Sequence, residues 1–444
     1  MNSRISVIAS IVIAMLVTSM DTTITNTTMP LIAKELGGFD LYAWSFASYM
    51  IVSTIIAPVA GRISDIFGRK KVFATGIILF LFGSLLCGSA STMLQLVIYR
   101  AVQGIGAGVM MPFPAIIAGD LFSIEQRGKI QAFFTAMWGL SAVLAPMLGA
   151  FFVKYATWRW IFYVNIPICI LAIVLLLPYK EAYMPKRASV DYLGALLFAT
   201  GVSLLLVATT VSTNQLLYVF LGIVFSIAFY LYEKKQPSPI IPISLFKNRP
   251  VAWMILNSFL SCAALFGASS YIPLFLQKEG YSIFVSGVAL LGMSFGWILV
   301  AVPAGKWILR FGYRRLIVTG NVILVISGFA FLFLGHGTSF AYVFAILIIQ
   351  GLAFGLLSTV SIIGSQHLVE PNQKGISTSL QMFSRNIGTA IGITIMGAFL
   401  TKASSFTNGI HSLFIYGFLV SLISLATAFF IRDNQQTTLI QQES

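Results

Sequence analysis

Runs of about 20 apolar positions, the length needed to cross a ~30 Å hydrocarbon core, alternate along the chain with short polar connectors. They begin near Ile5, Tyr42, Val72, Gln95, Lys129, Arg159, Val190, Gln215, Val251, Ile283, Arg315, Ser339, Lys374 and Asn408. The pattern predicts an all-α membrane protein with fourteen transmembrane helices. A β-barrel would need segments of about 10 residues with strict alternation, and the runs show neither. The first run has no small-residue cleavage site and outlasts a signal peptide, so it is read as a permanent span.

Composition supports this reading. The 444 residues are 58% hydrophobic and 9% charged, against about 25% charged in soluble domains, so a soluble globule is excluded and no room remains for a large soluble domain. The net charge of +14 would suggest nucleic acid in a soluble protein; here the basic residues sit in short loops and set orientation instead. With the N-terminus inside, five of the 27 lysines and arginines fall outside (Lys34, Lys154, Arg159, Lys278, Lys402), Arg100 and Arg385 are buried, and the other 20 are cytoplasmic. Both termini are therefore expected in the cytoplasm, with the protein in the plasma membrane and no nucleic-acid partner. Cys87, Cys169 and Cys262 lie inside apolar runs without metal-like spacing and read as core filler.

Internal repeats set the architecture. GRISDIFGRKK (61–71) recurs as GKWILRFGYRR (305–315), QGIGAG at Gln103 as QGLAFG at Gln350, EQRGK at Glu125 as NQKGI at Asn372, and PMLGAF at Pro146 as TIMGAF at Thr394. The offsets are 244, 247, 247 and 248, and four ordered matches at nearly one spacing indicate duplication. The expected layout is a six-helix bundle over 1–180, two inserted helices over 181–236 and a second six-helix bundle over 237–444. An even number of spans separates the copies, so they are parallel repeats, which place a substrate site at their interface and work by rocking.

At this point the residues resemble the major facilitator superfamily, in its fourteen-helix drug:proton antiporter branch and most nearly its QacA/SdrM-type exporters. GRISDIFGRKK resembles the signature between the second and third helices, with Gly61, Asp65, Gly68 and Arg69 at its defining positions. YRAVQGIGAG resembles the fourth-helix signature with Arg100, DTTITNTTMP (21–30) the first-helix signature, PSPIIPISLFKNRP (237–250) the loop before the second bundle, and SRNIGTAIG the pattern around Arg385. GLSAVLAPMLGA (139–150) is similar to the fifth-helix antiporter signature, with Ala145 and Ala150 where glycines are usual. The resemblance implies that Asp65 and Arg69 form a latch holding an outward-open state, and that Gly139, Pro146 and Gly149 help seal the cavity against proton leak. Leu309 stands in the second copy where Asp65 stands in the first, so the latch should be one-sided.

Asp21 is the only acid well inside an apolar run. A carboxylate there costs about 2.5–3.5 kcal/mol unless it faces a cavity, pairs or takes up a proton. Asp21 lies 16 residues along the first helix, ~24 Å, and Arg100 5 residues into the fourth from the outside, which is ~22 Å from the inside. The two are at similar depth. Arg100 is expected to tune the proton affinity of Asp21; the plainer alternative is that it only bonds helix-end carbonyls. Arg385, 11 residues into its helix, falls near the midplane and is expected to line the cavity or meet a helix C-terminus.

Aromatic and methionine side chains suit a promiscuous drug site. The candidates are Trp44, Tyr49, Trp138, Trp253, Phe266, Tyr271, Met293, Trp297, Met382 and Phe383, with Asn26 as a polar contact. The reading is a proton-coupled exporter of lipophilic cationic or zwitterionic drugs, driven by the proton gradient without cofactor or metal; a carrier of an endogenous metabolite, lipid or siderophore is the alternative. His336, His367 and His411 are scattered without an acid or cysteine cluster, which disfavours an enzyme. No GxxxxGK[ST] loop occurs, which disfavours ATP drive.

Overall fold

The computed structural model describes residues 3–37, 41–179, 191–210, 214–237, 239–281, 283–403 and 405–431. Their regular structure is helical: α1 (Ser3–Leu36), α2 (Tyr42–Phe67), α3 (Arg69–Ser89), α4 (Met93–Met110), α5 (Phe113–Leu121), α6 (Ile124–Tyr155), α7 (Trp160–Tyr163), α8 (Asn165–Leu176), α9 (Tyr192–Thr210), α10 (Gln215–Glu233), α11 (Ile243–Lys247), α12 (Arg249–Lys278), α13 (Ile283–Ala289), α14 (Leu291–Phe331), α15 (Phe340–His367), α16 (Lys374–Lys402) and α17 (Phe406–Ala428). Among the described residues there is no strand, and nine helices are long and apolar enough to cross a membrane.

The chain divides into two compact units. One comprises Met1–Leu121, Met137–Ile243 and Pro371–Ser379; the other comprises Phe122–Ala136, Ser244–Glu370 and Leu380–Ser444. Helices α6 and α16 therefore each begin in one unit and continue in the other. Their first turns are the EQRGK and NQKGI repeats.

Two glycines end helices in the same way. Gly68, between α2 and α3, has φ +99°, and Gly312, inside α14, has φ +77°. A side chain in that region would be strained, so the duplicated motif turns the chain at the same place in both copies. This is why the apolar runs on either side of Gly312 are separate in the sequence although hydrogen bonding carries α14 across the turn.

The small-xxx-small pairs set helix contacts. Gly104 and Gly108 of α4 lie on Tyr49 and Ser53 of α2, Gly351 and Gly355 of α15 on Met293 and Trp297 of α14, and Gly388 and Gly392 of α16 on Phe259 and Ala263 of α12. A Cβ at any of the six would come within 2.8 Å or less of a backbone carbonyl oxygen. Without water to drive them together, membrane helices gain from this close van der Waals approach.

In the first unit α9 and α10 form a hairpin stapled at one end by two acids. Asp191 accepts a hydrogen bond from the amide of Gly194 (2.8 Å), and Glu233 accepts one from Ile241 (2.7 Å). Both carboxyl groups crowd Gly194, whose Cβ would lie 2.5 Å from Asp191 Oδ2 and 2.6 Å from Glu233 Oε2.

Gly108→Ala should destabilise by about 1–3 kcal/mol, because backbone cannot yield to the new methyl. Gly139→Ala, where a Cβ meets nothing within 4 Å, should leave thermal unfolding in detergent unchanged or raised. An equal fall in both would contradict the packing analysis.

Candidate functional site

Inside the first unit, Asp21 of α1 meets Arg100 of α4. Arg100 Nη1 donates to Asp21 Oδ2 at 2.5 Å, and both side chains are buried, at 1% and 0% exposure. Asp21 Oδ1 accepts from Gln103 Nε2 (2.8 Å) and Asn165 Nδ2 (3.1 Å), both of which also reach Ser84 Oγ (2.8 and 3.2 Å). Gln103 Oε1 accepts from Arg100 Nη1 at 2.6 Å, and Tyr49 lies under the guanidinium, 4.1 Å from its ring centroid. Four helices, α1, α3, α4 and α8, thus close one network around a carboxylate. The sequence-based pairing of Asp21 with Arg100 is what the structure has, and the alternative partner, a helix-end carbonyl, is not.

Burying two charges costs several kcal/mol each, and only good geometry with further hydrogen bonds offsets it. Here three donors face the carboxylate, while Arg100 Nε and the nearby Thr25 Oγ1 have no hydrogen-bond partner among the described residues. Removing Arg100 alone would strand the carboxylate.

The second cluster of charges surrounds the turn at Gly68. Arg69 bonds Asp65 (2.5 Å), Asp120 (3.2 Å) and Ser64 Oγ (2.6 Å). Asp65 in turn accepts the amides of Gly375 (3.0 Å) and Ile376 (2.9 Å), the unpaired donors of the first turn of α16. A carboxylate at a helix N-terminus gains from those free amides and from the helix dipole. The approach is possible because Gly61 and Gly375 touch: a Cβ on Gly375 would lie 2.5 Å from Gly61 O.

The duplicated copy keeps the backbone contact without the charges. Gly305 packs on Glu125 O and Gly128 on Ala301 O, at 2.5 and 2.7 Å from the added Cβ. The positions of Asp65, Arg69 and Asp120 are taken by Leu309, Tyr313 and His367. Tyr313 and His367 share a hydrogen bond of 3.0 Å instead. The cluster at Asp65, Arg69 and Asp120 is therefore one-sided in its chemistry.

Four candidates for the drug site come together in the second unit. Phe266 and Trp297 stand edge-on to Phe354 at centroid distances of 5.0 and 4.6 Å, Arg385 Cζ lies 4.8 Å from the same ring, and Met293 packs nearby. A cation–π contact contributes about 0.5–2 kcal/mol, less than the ~2.5–3.5 kcal/mol that a midplane cation costs. Arg385 is thus left partly uncompensated. It meets a ring and the Cys262 thiol, not the helix C-terminus that was one expectation.

Other candidates have different surroundings. Trp253 stacks on Phe430 (4.8 Å) and Tyr271 donates to Ile393 O (3.0 Å), which are packing roles. Trp138 is 37% exposed, and Trp44, Met382 and Phe383 are half-buried. Gly149 is buried. The side chains of Asn26 and Pro146 lie outside the described residues.

Sequence reasoning missed Gln103, Asn165, Ser84, Asp120 and Phe354. Gln103 carried a signal, since it opens a repeat whose second copy, Gln350, donates to Leu265 O at 3.2 Å. Asn165 and Ser84 carried none: single polar residues in apolar runs are common, and only the fold converges them.

Apolar helices of spanning length that enclose a sealed ion pair are the architecture of a polytopic membrane protein. Residues 11–301 and 288–443 match the Major Facilitator Superfamily. The chain is 34% identical over 414 residues to the multidrug transporter protein MdtP of Bacillus subtilis, covering 91% of this chain and 76% of that one. It is 29% identical over 450 residues to the multidrug efflux pump SdrM of Staphylococcus aureus, covering 98% and 99%. In shape it is similar to the human organic anion transporter MFSD10, with a TM-score of 0.70 at 16% identity over 96% of this chain and 100% of that one. The chain belongs to the major facilitator superfamily.

Asp65→Asn takes one acceptor from the two amides of α16 and weakens the Arg69 pair. Hydrogen exchange at 374–379 should accelerate about tenfold, in keeping with the 1–3 kcal/mol cost of an unsatisfied donor, while 126–129 stays unchanged. Unaltered exchange at 374–379 would refute the capping role.

Proposed function

We propose that the protein exports lipophilic cationic or zwitterionic drugs from the cytoplasm or inner leaflet in exchange for protons, by alternating access. The observation that carries the reading is the closed network around Asp21: a carboxylate inside an apolar span, with an arginine on one oxygen and two amides on the other. A proton on Asp21 cancels the charge that holds Arg100 and weakens each of those bonds. Uptake and release of a proton are therefore tied to opening and closing the network, which is the coupling that exchange requires.

Two further features support it. Relatives at 34% and 29% identity are multidrug transporters by name, and the aromatic group around Phe354 offers stacking surfaces suited to varied ring systems. The loop charges support an arrangement of fourteen spans in the plasma membrane with both termini in the cytoplasm. In that arrangement Asp65, Arg69 and Asp120 lie at the cytoplasmic ends of their helices, where the latch acts, and the Arg159–Glu35 pair (3.2 Å) is outside.

One membrane acid gives about one proton per cycle. A monocation then exchanges electroneutrally, whereas a neutral or zwitterionic drug moves net charge inward. The potential is worth about 2.3 kcal/mol per charge per 100 mV, roughly fiftyfold in concentration.

Asp21→Asn should leave the protein folded and abolish both pH-driven drug transport and drug-induced proton release from the purified protein; retained proton release would refute the assignment. In proteoliposomes with valinomycin-imposed potentials, zwitterion transport should respond to voltage and monocation transport mainly to the pH gradient. An equal voltage response from both would rule out the one-proton scheme.

A further inference from the structure

The charges of the two units are unequal inside their spans. In the first unit the buried cation Arg100 is matched by Asp21. In the second, the sequence from Ser244 to Ile431 holds two acids, Glu279 and Glu370, both at helix ends. Glu279 is engaged by His336 Nδ1 (2.9 Å) and the amide of Gly337 (2.8 Å), and Cys262, the α12 residue beside Arg385, is 17 residues or ~25 Å of helix away from it. The first turn of α6, which belongs to this unit, adds Glu125, which is exposed and pairs with Lys306 (3.5 Å). Arg385, half-buried and ~16 Å along α16, has no acidic partner among the described residues.

Its neighbours add unsatisfied donors. Gln381, one turn earlier on α16 and fully buried, spends its Oε1 on Ser258 Oγ (2.8 Å), and its Nε2 has no acceptor among the described residues. Trp297 Nε1, on the ring that stands edge-on to Phe354, is also buried without one. Positions 381 and 385 share a helix face.

We infer that Arg385, backed by Phe354 and flanked by Phe266 and Trp297, is a recognition site for the anionic group of an aromatic substrate, so that drugs bearing a carboxylate bind by an interaction that purely cationic drugs lack. This deepens the exporter reading and rests on it. The guanidinium presents a planar fork of donors that matches a carboxylate in two parallel bonds, and the rings beside it take the aromatic body of the same molecule. The counter-charge that Arg385 lacks among the described residues is supplied by the cargo. A monocation meets the same rings but is repelled by Arg385, so the site discriminates by charge as well as by shape.

The test uses three probes with the purified full chain in proteoliposomes under an imposed pH gradient: a fluoroquinolone carrying a free carboxylate, its methyl ester, and ethidium. Arg385→Gln should weaken the apparent affinity for the acid about tenfold, leave the ester within twofold, and leave ethidium equal or improved. Arg385→Lys, which keeps the charge without the fork, should fall between wild type and Arg385→Gln for the acid and guards against misfolding of the glutamine variant. Equal losses for acid and ester, or no loss for either, would overturn the proposal. If the wild-type protein moves none of the three, the exporter reading fails separately. Equilibrium binding of a fluorescent naphthoate to wild type and Arg385→Gln then still decides the anion site: binding lost in the variant upholds it, and binding equal in both removes it.

Discussion

A charge inside a bilayer has no water to fall back on, and this governs the arrangement of the polar groups in this chain. Asp21 and Arg100 are tolerable because α1, α3, α4 and α8 bring them together with Gln103, Asn165 and Ser84, so that each oxygen of the carboxylate has a donor. The same requirement makes the network all-or-none. A helix that moves away takes a donor with it, and the carboxylate must find a substitute, of which the proton is the smallest. Stability and proton chemistry are thus two readings of one hydrogen-bond inventory.

Duplication of the chain copied backbone contacts more faithfully than charges. The glycine turns at Gly68 and Gly312 and the close approaches of Gly61 to Gly375 and of Gly305 to Gly128 recur in both copies. They depend on the absence of a side chain, and almost any substitution is excluded. The acids and arginine around the first turn are replaced around the second by Leu309, Tyr313 and His367. Those positions tolerate change because a hydrogen bond can fill the space of an ion pair. One copy has a charge-assisted cap on α16; the other has the same packing with a Tyr313–His367 hydrogen bond and a Glu125–Lys306 pair. Such asymmetry allows two structurally matched gates to differ in strength.

The spans of the second unit present the opposite electrostatic situation to those of the first. Among the described residues no acid balances Arg385, and Phe354, Phe266 and Trp297 gather beside it instead. In one unit the counter-charge is built in; in the other the described residues hold none beside the arginine.

The sequence by itself determined the membrane setting, the helical class and the repeat of its glycine turns, because hydrophobic length and repeat spacing are properties of local chain order. Asp21, Arg100, Asp65, Arg69 and the glycine pairs were legible for that reason: a charge or a repeated glycine stands out against an apolar background. Convergence was decided only by the tertiary structure. Asn165 stands 144 positions from Asp21, Ile376 stands 311 from Asp65, and Phe354 is one of 37 phenylalanines. Nothing in local order marks them, since what makes them functional is which helix faces which, and that is set by the packing of the whole bundle.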